Sequence, residues 1–198
     1  MTPERWKDFA RYLVAYSGIF QCVISGGEPL LLGDDLFGIM DILHGDRTGL
    51  LVISNSLLMT QEKVRRFTKY RYKWFQISID GVNREQKNVL YDAIMRNIQR
   101  FSGRMSVQRS SGTKIQLMRS MNTPNTGAII RPDGNIRLDC VAPFVIGNVI
   151  SEDFCTVWQK KAGDVWSRPE ILEYFDSWED EEEINHGLRN YFDADVIF

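Results

Sequence analysis

The sequence predicts an α/β protein: a partial, barrel-like parallel (β/α) sheet followed by a small β-hairpin with helices. Three observations predict it. Helical and strand patterns alternate three times with short connections between Thr2 and Phe101, which is the grammar of a parallel sheet built from crossovers. The alternation breaks at Ser102. Beyond the break, Pro132-Asp133-Gly134-Asn135 separates two short alternating runs, the signal of a hairpin turn.

The elements follow in order. Thr2 caps a first helix that Pro3 opens, with Glu4 in its first turn. Trp6, Phe9, Ala10, Leu13 and Val14 recur at helical spacing and form one apolar face, and Gly18 ends the helix. "FQCVIS" is a short buried strand that stops at Gly26-Gly27. "DDLFGIMDIL" is a helix capped by Asp34 or Asp35, and "GLLVISN" is the second strand. "TQEKVRRFTKY" is a helix with Thr60 as N-cap and Glu62 in its first turn, and "KWFQISID" is the third strand, closed by Gly81. "NREQKNVLYDAIMRNIQRF" is a long helix with Val89, Leu90, Ala93, Ile94 and Ile98 on one side.

After the break, "SGRMSVQRSSG" is a loop or weak strand and "TKIQLMRSM" a further strand. "GAIIRPDGNIRLDC" is the hairpin. "SEDFCTVWQK" is a helix with Ser151 as N-cap, and "RPEILEYFDSW" another. These divide the chain into a partial barrel over 1–120, a hairpin module over 121–178 and an acidic tail over 179–198.

Composition narrows the function classes. The net charge of -2 leaves no basic field for nucleic acid, and the local cluster at Lys63 to Lys73 reads as a solvated helix face. No apolar run approaches the roughly 20 residues of a membrane helix. The charged, amphipathic N-terminus does not resemble a signal peptide. Three widely spaced cysteines make no disulfide framework, which points to a reducing, cytoplasmic setting.

In a parallel α/β sheet, ligands bind beyond the carboxyl ends of the strands. Ser25, Gly26, Gly27 and Glu28 follow the first strand, Asn55 ends the second, and Ser78 and Asp80 end the third. Glycine lets a backbone approach a ligand closely. Each residue alone is ordinary turn or cap chemistry. As an ordered set at matching positions, they read as a binding rim.

"SGGEPLL", then "ISN", then "ISIDG" resemble the radical S-adenosylmethionine superfamily, in particular its peptide-modifying branch. The resemblance implies that Ser25, Gly26, Gly27, Glu28, Asn55, Ser78 and Asp80 form a vestigial S-adenosylmethionine rim, with the Gly-Gly-Glu-Pro backbone holding the methionine end. The family's second strand usually ends in Thr-Asn-Gly, where this chain has Ser54-Asn55-Ser56. "IIRPDGNIRLDC", with "IGNV" and "DFCTVW" after it, resembles the SPASM or twitch extension. That extension binds auxiliary iron–sulfur clusters and helps hold a peptide. The hairpin plus helices is then a twitch/SPASM-like module, and the resemblance covers about residues 5–175.

The departures bear on function. The family's four-iron cluster is held by Cys-x-x-x-Cys-x-x-Cys after the first strand, because such clusters require thiolates. This sequence has no such triplet and begins at what would be the following helix. Only roughly 30 residues separate the long helix from the hairpin, where two more strand–helix units would take about 50, so about half a barrel is expected. Cys22, alone in a strand, reads as a small core hydrophobe. Cys140 follows the Pro-Asp-Gly turn where the family has a cluster cysteine and is the one metal candidate. Its expected upstream partner, near Pro124-Asn125, is not cysteine, and Cys155 matches no ligand position. His44 and His186 read as packing or surface residues.

No catalytic residue is assigned. The resemblance implies S-adenosylmethionine as cofactor, while an iron–sulfur cluster is not expected in the isolated chain. Three readings follow. One is a degenerate, non-catalytic binding or partner subunit in the maturation of a ribosomal peptide. Another is a radical enzyme component or fragment whose cluster and remaining strands come from another chain. The last is a structural scaffold with no ligand. The implied partners are a complete radical enzyme, a peptide substrate, or a second copy pairing with the open edge of the first strand. The tail "EDEEEINHGLRNYFDADVIF", apolar after a charge run, favours a partner role.

Overall fold

The structure is a computed structural model that describes residues 1–16, 18–45, 47–71, 73–78, 104–108, 127–138, 144–176 and 196–197. The chain falls into two units, Thr2–Ser110 and Ser111–Phe198 with Met1. The long helix, "TKIQLMRSM", the acidic run, Asp80, Cys140 and His186 lie outside the described residues.

The first unit is a sheet of four parallel strands in the order β1-β2-β3-β4: β1 Gln21–Ile24, β2 Gly49–Ser54, β3 Lys73–Ser78 and β4 Arg104–Gln108. Helix α1 spans Pro3–Tyr16, and the Thr2 hydroxyl accepts from Arg5 N at 3.4 Å. Helix α2 spans Asp34–Gly45 and α3 spans Gln61–Phe67. Thr60 caps α3 by accepting from Lys63 N at 3.2 Å, as its position before the apolar period predicts.

The core forms where the apolar faces of α2 and α3 meet the sheet. Phe67 of α3 lies 5.0 Å from the Phe37 ring of α2 and 5.3 Å from the Phe75 ring of β3, linking three elements. Leu36, Met40, Leu43, Leu50, Val52 and Ile77 are buried around it. Helix α1 is held to α2 by Lys7, whose amine meets Asp35 at 2.7 Å. Gly38 lets the Lys7 stem pass: a Cβ there would stand 3.0 Å from Lys7 Cε.

Several expectations need correction. "FQCVIS" is a strand but not a buried one. β1 is the sheet's edge among the described residues, and Gln21 and Val23 alternate outward. A strand with one neighbour has less to cover it than β2, which is paired on both sides. Asp34 and Asp35 sit inside the first turn of α2 rather than capping it, because a 3-10 helix over Pro29–Leu32 precedes them and ends at Gly33. Their charge still suits the helix's positive end. Of the two readings of "SGRMSVQRSSG", a loop or a weak strand, the strand is found over Arg104–Gln108 as β4, where pairing with β3 satisfies its backbone.

In the second unit, β5 Ile129–Ile130 and β6 Asn135–Arg137 form the antiparallel hairpin about Pro132 and Asp133. β7 Phe144–Asn148 pairs antiparallel with β6, and β8 Val196–Ile197 pairs parallel with β7. Helices α4 Phe154–Lys161 and α5 Pro169–Asp176 follow β7. Ile136, Phe144, Ile146, Val157, Val165 and Ile171 are buried together. The cap of α4 is Asp153, which accepts from Thr156 N at 2.8 Å, and not Ser151. Ser151 is drawn into the preceding turn, its N–H donating to Asn148 O at 3.2 Å. Among the described residues, no helix is long and apolar enough to cross a membrane.

Candidate functional site: the rim at the ends of β1 and β2

The chain leaves β1 through two left-handed glycines, Gly26 at φ +84° and Gly27 at φ +51°. A Cβ at either would meet nothing within 4 Å among the described residues. The backbone turn, not crowding, therefore selects glycine here, and the space a side chain would fill stands open. Ser25, Gly26 and Gly27 are exposed.

Glu28 then returns to extended backbone and caps the 3-10 helix, its Oε1 accepting from Leu30 N at 2.9 Å. Pro29 follows at the first helical position, where its missing N–H costs nothing. The same carboxylate reaches the end of β2. Ser54 Oγ donates to Oε1 at 2.7 Å, and Asn55 N donates to Oε2 at 3.0 Å. Ser54 Oγ in turn accepts from Ser56 N at 2.9 Å, and Asn55 Oδ1 accepts from Leu57 N at 3.0 Å. Glu28 is half-buried, and among the described residues it makes no ion pair. Neutral donors stabilise its charge without cancelling it.

Ser56 stands at φ +60°, and its Oγ is buried with no hydrogen-bond partner among the described residues. Lys63 ties the two rim loops together, its amine within 2.9 Å of Leu58 O and 3.5 Å of Leu30 O. These loops also carry the exposed leucines Leu31, Leu57 and Leu58.

Of the residues singled out in the sequence, the structure brings Glu28 and Asn55 into contact and leaves Ser25, Gly26 and Gly27 as the open backbone beside them. Ser78 ends β3 in register with Gln108, and no hydrogen bond among the described residues links it to Glu28 or Asn55. Asp80 and Cys140 fall outside the described residues. Ser54, outside the set of rim residues expected from the strand ends, is the neighbour that joins Glu28 to β2. Its signal was a hydroxyl at the last position of an otherwise apolar strand, which needs a partner once buried.

Two of the three thiols, Cys22 and Cys155, lie among the described residues. Cys22 is half-buried in β1, where desolvation pushes its thiol up to about 11. Cys155 lies on α4. Among the described residues, no three His, Cys, Asp or Glu side chains are grouped to hold a metal ion.

The profile of the Radical SAM superfamily matches residues 1–110. No curated protein matches the chain. Among solved structures, the chain is similar to BtrN in an open conformation, with a TM-score of 0.53 and 15% identity over 98% of this chain and 77% of that one. BtrN in complex with AdoMet and 2-DOIA is similar at a TM-score of 0.49 and 14% identity, over 95% of this chain and 78% of that one. At 15% identity, the likeness to the open form is one of fold.

Proposed function

The chain belongs to the radical SAM superfamily, and we propose that it is an S-adenosylmethionine-binding partner subunit in the maturation of a ribosomally made peptide, one that does not run the radical reaction on its own cysteines. The rim carries this reading. An exposed Gly26-Gly27 turn offers backbone N–H and C=O groups beside the Glu28 carboxylate, which makes no ion pair among the described residues. The methionine end of S-adenosylmethionine bears an ammonium and a carboxylate, which suit backbone C=O and N–H groups exposed on such a turn. In the family this ligand supplies a radical when a reduced four-iron cluster cleaves it. The 198 residues contain three cysteines and no Cys-x-x-x-Cys-x-x-Cys.

A peptide client is supported by the likeness of "ISIDG" and "IIRPDGNIRLDC" to the peptide-modifying branch and its twitch extension. The exposed Leu31, Leu57 and Leu58 on the rim loops offer apolar contact for one. The test is equilibrium dialysis against S-adenosylmethionine, paired with anaerobic iron and sulfide reconstitution. Stoichiometric binding with no cysteine-dependent cluster supports the reading. A full cluster lost in the Cys22→Ala or Cys140→Ala variant overturns it.

A second reading is a radical enzyme component whose cluster and remaining strands come from another polypeptide. The edge of β1 favours it: Phe20 is 90% exposed and Val23 49% exposed beside a strand edge that no described strand pairs with. Light scattering then gives an assembly larger than one chain. A stable monomer over a wide concentration range counts against it.

A further inference from the structure

We propose that Glu28 is the positioning residue of the rim. Its carboxylate acts on a bound ligand through the backbone it holds, by locking the Gly26-Gly27 turn onto the end of β2. This rests on the reading of the rim as the S-adenosylmethionine site and adds to it the device that keeps the site formed.

The backbone ladder between β1 and β2 stops at Ile24 paired with Val52. Beyond that pair the chain enters two glycines with wide conformational freedom, and nothing in their own sequence holds the turn still. Glu28 restores the connection where the ladder ends. Oε1 receives the Ser54 hydroxyl and Leu30 N, and Oε2 receives Asn55 N. Two of these donors belong to the end of β2 and one to the loop itself, so a single side chain pins both.

The chemistry also selects the residue type. Three donors converge, so the side chain must be acceptor-only, which an ionised carboxylate is and an amide is not. The link continues past Glu28, because Ser54 Oγ accepts from Ser56 N and so orders the turn that follows β2. Ser54 is only 2% exposed. It is therefore a probe of the brace that a ligand on the rim does not touch.

The experiment uses the full chain and three variants, Glu28→Gln, Ser54→Ala and Ser54→Thr, each measured where it is folded. Amide hydrogen exchange at Leu30 and Asn55 reads the brace without any ligand. Equilibrium dialysis reads the dissociation constant for S-adenosylmethionine. Glu28→Gln and Ser54→Ala should each speed exchange at Asn55 and weaken binding by about tenfold, 1.4 kcal/mol. Ser54→Thr, which keeps the hydroxyl, should restore both. Unchanged exchange in Ser54→Ala overturns the brace. Faster exchange with an unchanged dissociation constant in Ser54→Ala overturns the positioning role. Weaker binding in Glu28→Gln alone also overturns it, since Glu28 would then touch the ligand directly. If the unaltered chain binds no S-adenosylmethionine, the ligand reading fails, and exchange alone decides whether the brace exists. Should Glu28→Gln fail to fold, the two Ser54 variants carry the decision.

Discussion

Asn55 gives its backbone N–H to Glu28 Oε2 at 3.0 Å, joining the end of β2 to the loop that leaves β1. With the Ser54 hydroxyl and Leu30 N, three donors depend on this one carboxylate. Glu28→Ala removes the acceptor from all three and should destabilise the protein by about 2–4 kcal/mol, since hydrogen bonds to charged groups exceed neutral ones and buried donors are costly to orphan. Urea unfolding measures it. A change below about 0.5 kcal/mol, the range of ordinary surface substitutions, would show that the carboxylate is idle.

Ser56→Gly should stabilise the protein. The residue stands at φ +60°, and its hydroxyl is buried without a partner among the described residues. Left-handed backbone costs a non-glycine residue roughly 1–2 kcal/mol, while glycine's extra freedom in the unfolded chain returns part of that. A net gain of about 1 kcal/mol follows, read as a higher unfolding temperature. A loss would mean that the Ser56 side chain has a partner after all.

At Gly27 the sign reverses. A Cβ there finds open space, so only the φ of +51° resists a side chain. Gly27→Val should cost about 1–3 kcal/mol through backbone strain. Gly127→Val is the matched control: among the described residues a Cβ there also meets nothing within 4 Å, and its φ lies outside the left-handed region. If both substitutions cost the same in thermal unfolding, strain at the rim is not the cause.

Cys22 makes stability depend on pH. Burial raises its thiol from 9.0 to about 11. Between those values the folded chain keeps a proton that the unfolded chain releases, so stability falls as pH rises from about 9 to about 11. Below pH 8 the group contributes no slope. The upper bound is about 1.4 kcal/mol per pH unit, reduced here because Cys22 is only half-buried. Urea midpoints at about pH 8, 9.5 and 10.5 should drop more steeply in the native chain than in Cys22→Ala. Parallel slopes would place the thiol in water.

What the sequence determined by itself is what acts within a few residues. Thr60 could be read as the cap of α3 because its partner, Lys63 N, is three residues away. The hairpin about Pro132 and Asp133 and the period of α1 are legible for the same reason. The Gly26-Gly27-Glu28-Pro29 run marked a turn and a helix start, and half of its geometry, the cap on Leu30, is local. Tertiary structure decided the rest. Ser151 and Asp153 are both capping residues, and the turn at Asn148 settled which one caps α4 by drawing Ser151 away. The polar run at Arg104 became a strand because β3 offered it an edge. β1 reads as apolar enough to be buried, yet burial depends on a neighbour, and among the described residues it has one only. Ser54 lies 26 residues from Glu28, so their hydrogen bond exists only once β1 and β2 are parallel and in register. Caps, turns and periods are written in local dihedral preferences. Which donors meet a carboxylate, and which strand faces water, depends on segments brought together from far along the chain.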